Sequence, residues 1–146
     1  MAPALSLAEL AGTSPGSVIE ATIEGSLPGG GLRGIEFENC VFRGVNLEKA
    51  VLIGASFNEC SFEDCSFSGA DLTDANLGEC RFTGAKLSGI NWALAHVNRF
   101  AACPLEFVRC NMDFCWFVGA ELARCSFSDC SIREADFSET RLTNAG

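Results

Sequence analysis

The chain has 146 residues, one domain's worth, and 48% of them are hydrophobic while 20% are charged, a balance that excludes a disordered tail. Nineteen acidic against ten basic residues leave a net charge of −9. That charge argues against nucleic acid or anionic membrane as a direct partner, because both attract clustered Lys and Arg. Nine cysteines, an odd count, exclude a fully paired intrachain disulfide framework, and a single histidine, His96, removes most His-based metal sites and nucleophile–base pairs.

From the start, Met1 to Gly12 carries no basic stretch and no long apolar run, so it does not read as a signal peptide. No segment approaches the roughly 18 apolar residues of a membrane span. The expected setting is a reducing cytoplasm in which the thiols stay free. Ser6-Leu7-Ala8-Glu9 has capping-box form with Gly12 as a helix stop, and Val18–Ile23 reads as a strand.

From Leu27 onward the sequence repeats every five residues. The positions Leu27, Leu32, Phe37, Phe42, Leu47, Leu52 and so on to Leu142 number 24, and 23 carry a large or medium apolar residue, Ala102 being the exception. A second lane lies two residues earlier and holds mostly small residues, among them eight of the nine cysteines, all but Cys103. A large and a small residue two apart point the same way along an extended chain, so the cysteines are expected to be small buried hydrophobes that replace alanine. The remaining positions are mostly Ser, Thr, Asn, Asp, Glu, Arg and Gly. Period five fits neither a helix nor an uninterrupted strand, and demands a short extended piece and a turn, stacked as a solenoid.

Cys65-Ser66-Phe67, Ala70-Asp71-Leu72-Thr73-Asp74 and Ala75-Asn76-Leu77 resemble the A-(D/N)-L-x-x motif of pentapeptide-repeat proteins, a resemblance that spans about Gly25 to Ala145. It implies an all-β, right-handed, four-sided parallel β-helix with one pentapeptide per side and twenty residues per coil, hence about six coils. Residues 25–146 would form the rod and residues 1–24 an N-terminal cap, since the end coil of a solenoid exposes core and strand edges. Stacking every twentieth residue predicts one interior ladder of Phe37, Phe57, Leu77, Val97, Phe117 and Phe137. A second would hold Phe42, Phe62, Phe82, Ala102, Leu122 and Leu142, and Phe100 would lie above the column Cys40, Cys60, Cys80.

Three departures interrupt the pattern. Between Asn91 and Leu105, Phe100 takes a small-residue position and Ala102 a large one, with Pro104 following. Two readings stand open: a compensated repack that nearly keeps the volume, or a looped-out segment that contacts a partner. Apolar residues also appear in outward lanes, namely Leu94, Val108, Phe114, Trp116 and Val118. With twenty-residue stacking Leu94 would lie over Phe114 and His96 over Trp116, making Leu94, His96, Phe114 and Trp116 a candidate interface for a dimer or partner. Alternatively, residues 1–24 fold back over it. At the far end Thr143 to Gly146 is expected to be too short to cap the last coil, and a resemblance to resistance-type members of the family would imply dimerisation through that end.

No Ser/His/Asp set, phosphate-binding loop or HExxH is present, and no catalytic, cofactor or metal site is expected. Cys60-x4-Cys65 and Cys110-x4-Cys115 would place successive thiols on different sides of the rod, and Glu63 and Asp64 are outward neighbours and not an acid/base pair. Ile90-Asn91-Trp92 followed by Pro104-Leu105-Glu106-Phe107 resembles the midsection of quinolone-resistance-type members. That resemblance implies a DNA mimic, an acidic rod that occupies the DNA-binding saddle of a type II topoisomerase, gyrase or topoisomerase IV. Candidate partner-binding carboxylates are Glu59, Asp64, Asp74, Glu79, Asp129, Glu134 and Glu139. Arg81, Lys86, Arg99, Arg109 and Arg124 interrupt them, and the alternative is a scaffold protein with no topoisomerase link.

Overall fold

Val41-Phe42-Arg43 shows the unit from which the molecule is built. Phe42 is buried while its neighbours face outward, then Gly44 turns the chain with a φ of 56° and Val45 points inward again. A positive φ reverses the chain direction within one residue, so each pentapeptide becomes one straight side and one corner. The computed structural model describes residues 4–7, 9–10, 16–27, 29–98, 101, 103–140 and 146. The expectations placed on Gly12, Arg99, Phe100, Ala102 and Leu142, and on most of Thr143 to Gly146, fall outside them.

Four such sides close a coil, and about six coils stack as a parallel β-solenoid. Side one is a seven-stranded sheet of β1 (Ala4–Ser6), β3 (Thr22–Glu24), β5 (Val41–Arg43), β7 (Ser61–Glu63), β9 (Cys80–Thr83), β11 (Leu105–Val108) and β12 (Ser126–Ser128). Side four is a five-stranded sheet of β2 (Ser17–Ile19), β4 (Glu36–Glu38), β6 (Ser56–Asn58), β8 (Asn76–Gly78) and β10 (His96–Val97). Sides two and three are held by single bridges, Ser26 to Asn46, Ser66, Lys86, Asn111 and Ser131 on one, and Gly31 to Val51, Asp71 and, further on, Asn91 to Trp116 and Asp136 on the other.

The opening segment differs from expectation. Val18–Ile23 is not one strand: Glu20 takes a φ of 52° and breaks it into β2 and β3, which extend sides four and one. Val18 and Ile23 are five apart and both buried, so the repeat's geometry begins before its motif does. Ala4–Ser6 pairs with Thr22–Glu24, and Leu7, Glu9 and Leu10 are helical.

The larger correction concerns the middle of the rod. From Glu36 to Val97, neighbours on side four lie 20 residues apart, as Phe37 and Phe57 do. Across β9 and β11 the partners are Leu105 with Cys80 and Phe107 with Phe82, an offset of 25. The Asn98 N–H still donates to the Leu77 carbonyl at 2.8 Å, and the Cys80 N–H donates to the Pro104 carbonyl at 3.0 Å. Five residues, a whole pentapeptide, are therefore added between Asn98 and Pro104, at the edge between sides four and one. Of the two open readings, the repack is excluded, because it would have kept the offset at 20. Pro104 stands where the added residues end. In an uninterrupted register it would occupy a corner, and corners here have φ between 52° and 72° in every described case from Gly29 to Glu139 except Leu94 and Pro104. Proline, with φ locked near −65°, cannot turn there.

The insertion rearranges the ladders. Phe107, not Ala102 or Leu122, follows Phe42, Phe62 and Phe82, with ring centroids 4.7, 4.5 and 5.3 Å apart along the series, and Phe127 continues it at 5.1 Å. Phe117 stacks on Trp92 at 6.3 Å and Phe137 on Phe117 at 4.6 Å, so neither belongs with Phe37 and Phe57. Leu105, not Phe100, continues the column of Cys40, Cys60 and Cys80. Stacked rings in successive coils meet edge-on neighbours such as Phe62 and Phe67 at 5.2 Å, adding about 0.5–1.5 kcal/mol per pair beyond area burial.

The thiols do more than replace alanine. Cys60, Cys65, Cys80 and Cys130 donate to the carbonyl of the large residue 23 positions earlier, at 3.5, 3.2, 3.2 and 3.4 Å. Cys110 and Cys115 reach the residue 28 earlier, because the five extra residues intervene. Each coil is thus tied to its neighbour by a weak donor that alanine lacks.

Candidate functional site

A filled rod leaves function to its outside. The seven candidate carboxylates, Glu59, Asp64, Asp74, Glu79, Asp129, Glu134 and Glu139, all sit at left-handed corners, with φ between 52° and 56°. They share a backbone conformation but not a face. Glu59 and Glu79 lie on the edge between sides four and one, Asp64 and Asp129 on the next edge, Glu134 on the edge between sides two and three, and Asp74 and Glu139 on the last. Holding an L-residue there costs roughly 1–2 kcal/mol where glycine would cost less. Gly44, Gly54, Gly69, Gly84, Gly89 and Gly119 occupy the same type of corner.

Basic residues thin the acidity along side one. Arg43 Nε pairs with Glu63 Oε2 at 2.9 Å, and Arg81 Nε with Glu106 Oε1 at 2.7 Å. Both are exposed pairs between adjacent coils, of the class that contributes about 0–1 kcal/mol. Asp113 is the buried exception. It accepts from Ser131 Oγ at 2.5 Å and the Arg133 N–H at 2.8 Å, and meets Arg133 Nη2 at 3.2 Å, so the Ser131 hydroxyl and then Arg133 hold its carboxyl below the usual range. The Thr73 and Ser138 side chains do the same for Asp71 and Asp136.

The expected apolar patch is reassembled by the insertion. Trp116 bridges to Asn91 and Asp136, not to His96, and Leu94 does not lie over Phe114. Side three instead presents Trp116 and Val118 as alternate outward residues, with Phe114 and Leu94 at its two edges, their exposures 50, 39, 54 and 45%. Leu94 ends a short 3-10 turn, Trp92–Leu94, capped by the Asn91 side chain. His96 lies around the edge on side four, beside Asn76, with Nε2 3.2 Å from Asp74 Oδ1. Asp136 escaped the sequence reading, although it lies twenty residues past Trp116, the spacing that places it alongside. Ile132 is exposed as well, and Phe127 and Phe137 are half-buried.

Among the described residues no three or more His, Cys, Asp or Glu converge on a point that could hold a metal ion. Burial pushes the Cys65, Cys110 and Cys125 thiols up to about 11 and Cys80 to about 12. In the stacked pair Cys40–Cys60, hydrogen bonding between the two thiols lowers Cys40 and raises Cys60. Cys103, inside the insertion, is exposed. Next to it, the Ala101 carbonyl accepts from Arg124 Nε and Nη2 at 3.2 and 3.1 Å, which ties the loop to the following coil.

Two family profiles match, pentapeptide repeats (9 copies) over residues 37–81 and pentapeptide repeats (8 copies) over residues 106–144, together more than half of the chain. The chain belongs to the pentapeptide-repeat family. The gap between the two matches contains the inserted residues. Full-length QnrB1, a plasmid-mediated fluoroquinolone resistance protein, superposes with a TM-score of 0.72 at 21% identity, covering 100% of this chain and 84% of that one. Rfr23, a pentapeptide-repeat protein from the cyanobacterium Cyanothece 51142, superposes with a TM-score of 0.52 at 15% identity over 95% of this chain and 90% of its own. At these identities the pentapeptide-repeat likeness is one of fold. No curated protein matches in sequence. Among the described residues no helix is long and apolar enough to cross a membrane.

Proposed function

We propose that this pentapeptide-repeat protein is a non-enzymatic, cytoplasmic interaction module, a rigid acidic rod that engages a type II topoisomerase, gyrase or topoisomerase IV, in place of DNA. The observation that carries this reading is the set of carboxylates at the corners. Seven acidic side chains project from left-handed positions, where the backbone holds them clear of the rod. Coils repeat at ~4.8 Å, so six coils give a rod of roughly 25–30 Å with carboxylates at regular intervals. An acidic rod competes for a basic groove and raises its own association rate through long-range attraction.

The test is a supercoiling assay with purified gyrase, with and without a fluoroquinolone. The expected result is inhibition of supercoiling or protection from the drug, weakened when Glu59 and Glu79 are both changed to Gln. Absence of both effects sinks the reading. The carboxylates are spread over four edges and side one is neutralised in ion pairs, and these two facts favour the second reading, a scaffold whose partner is recognised through one side only.

A further inference from the structure

We propose that side three is the docking surface for a basic polypeptide segment bearing an apolar anchor, with Trp116 at its centre. The proposal rests on the function above only in taking the rod as an interaction module; it does not depend on a topoisomerase. Of the six large hydrophobics exposed among the described residues, four gather here: Leu94, Phe114, Trp116 and Val118. Phe114 is the most telling. Its φ is 60°, at a corner that Gly69 and Gly89 fill in the coils before it, and its ring is half exposed. A bulky residue in the left-handed region is a rare and costly choice, and this one gains no burial in return.

Charge decides the occupant. Residues 69–74, 89–94, 114–119 and 134–139, which form this side and its two edges over four coils, contain five carboxylates and no Lys or Arg. Asp71 and Asp74 lie before the patch, and Glu134, Asp136 and Glu139 after it, Asp136 bridged directly to Trp116. On the adjoining side Arg133 is engaged by Asp113, and the cations of this side, Arg33 and Lys49, lie in the coils before Asp71, away from Trp116. An apolar centre with an acidic rim suits a segment of Lys and Arg around a Leu or Phe, the aromatic anchor supplying affinity and the rim supplying rate and selectivity. A second copy docking the same side face to face would set carboxylates against carboxylates, as an anionic lipid surface would.

The probe is a twelve-residue fluorescent peptide with a Leu-Phe core flanked by Lys and Arg, compared by anisotropy with its twin in which Glu replaces every basic residue. The basic peptide is expected to bind at least tenfold more tightly than the acidic one, less so as salt rises. Trp116→Ala should weaken binding about tenfold, and Glu134→Gln with Asp136→Asn and Glu139→Gln should weaken it and flatten the salt dependence. Ile19→Ala, at an exposed residue elsewhere, should change nothing, and far-UV circular dichroism and melting establish that each variant is folded. Equal binding of the two peptides, or unaltered binding by a folded Trp116→Ala, overturns the proposal. So does a drop in sedimentation mass with Trp116→Glu, which would assign the side to self-association. Gyrase effects that ignore Trp116, with no peptide binding, remove this site and leave the proposed function. Trp116-dependent peptide binding with no gyrase effect does the reverse.

Discussion

Pro104→Gly should change sign depending on whether residues 99–103 are present. In the full chain Pro104 lies at the point where the loop rejoins side one, and glycine there only loosens the unfolded chain, costing about 0.4–1 kcal/mol. With residues 99–103 deleted, position 104 falls directly after Asn98 and becomes a corner equivalent to Glu59 and Glu79, whose φ values are 53° and 54°. Proline cannot adopt that angle, at a cost of about 3 kcal/mol or more, and it lacks the N–H that Glu59 donates to Gly78 at 2.8 Å, about 1 kcal/mol further. Glycine relieves both, so Pro104→Gly should stabilise the deletion by about 3–4 kcal/mol. The deletion with glycine should itself fold to within about 3 kcal/mol of the parent. It loses the Arg124 bonds to Ala101, about 1–3 kcal/mol, and no longer orders five residues. Urea titrations of the four proteins, followed by circular dichroism, close the cycle. If Pro104→Gly destabilises both backgrounds alike, the insertion is not what proline imposes and the register argument fails.

Three further outcomes follow from the packing. Phe82→Ala, which empties a place stacked between Phe62 and Phe107, should cost about 3–5 kcal/mol in a urea melt, and Phe127→Ala, at a half-buried place near the chain's end, less than half as much; equal losses would contradict a ladder that is tightest in the middle. In the native state a thiol-specific chromogenic reagent should label Cys103 quickly, Cys130 more slowly, and the buried remainder only at the rate of unfolding, because packing shuts the reagent out; rapid labelling of Cys65 or Cys80 would refute this. Asp71, Asp113 and Asp136 have lowered pKa values, so their contribution is complete above about pH 4 and is lost as pH falls through the lowered values. Urea midpoints should hold from pH 7 to 5 and drop below 4, with Asp113→Asn losing less over that range than the parent; an unchanged acid limb in the variant would rule out Asp113 as a source.

How much was legible in the sequence depended on range. Phe42 and Val45 are inward because side chains two apart share a face, a relation between neighbours, and the lanes of large and small residues could be read off directly. The insertion was half legible. Phe100 and Ala102 out of place announced a disturbance, but a repack and a loop both fitted them. The deciding residue was Pro104, and its meaning required knowing that its lane is left-handed. Glu, Lys, Arg and Phe stand in that lane beside glycine, which hid the requirement, since these residues normally avoid a positive φ.

Five-residue spacing by itself determined that the chain is a solenoid and which residues face inward, because alternation and turning are settled within each pentapeptide. Which residues meet across coils was decided only by the tertiary structure. Hydrogen bonds between successive coils select the partner 20 or 25 residues away, and a single added pentapeptide rotates every later side by one quarter of the rod. That rotation put Phe107 on Phe82, took Trp116 away from His96, and placed Trp116 between Asn91 and Asp136 on the side where Leu94, Phe114 and Val118 surround it.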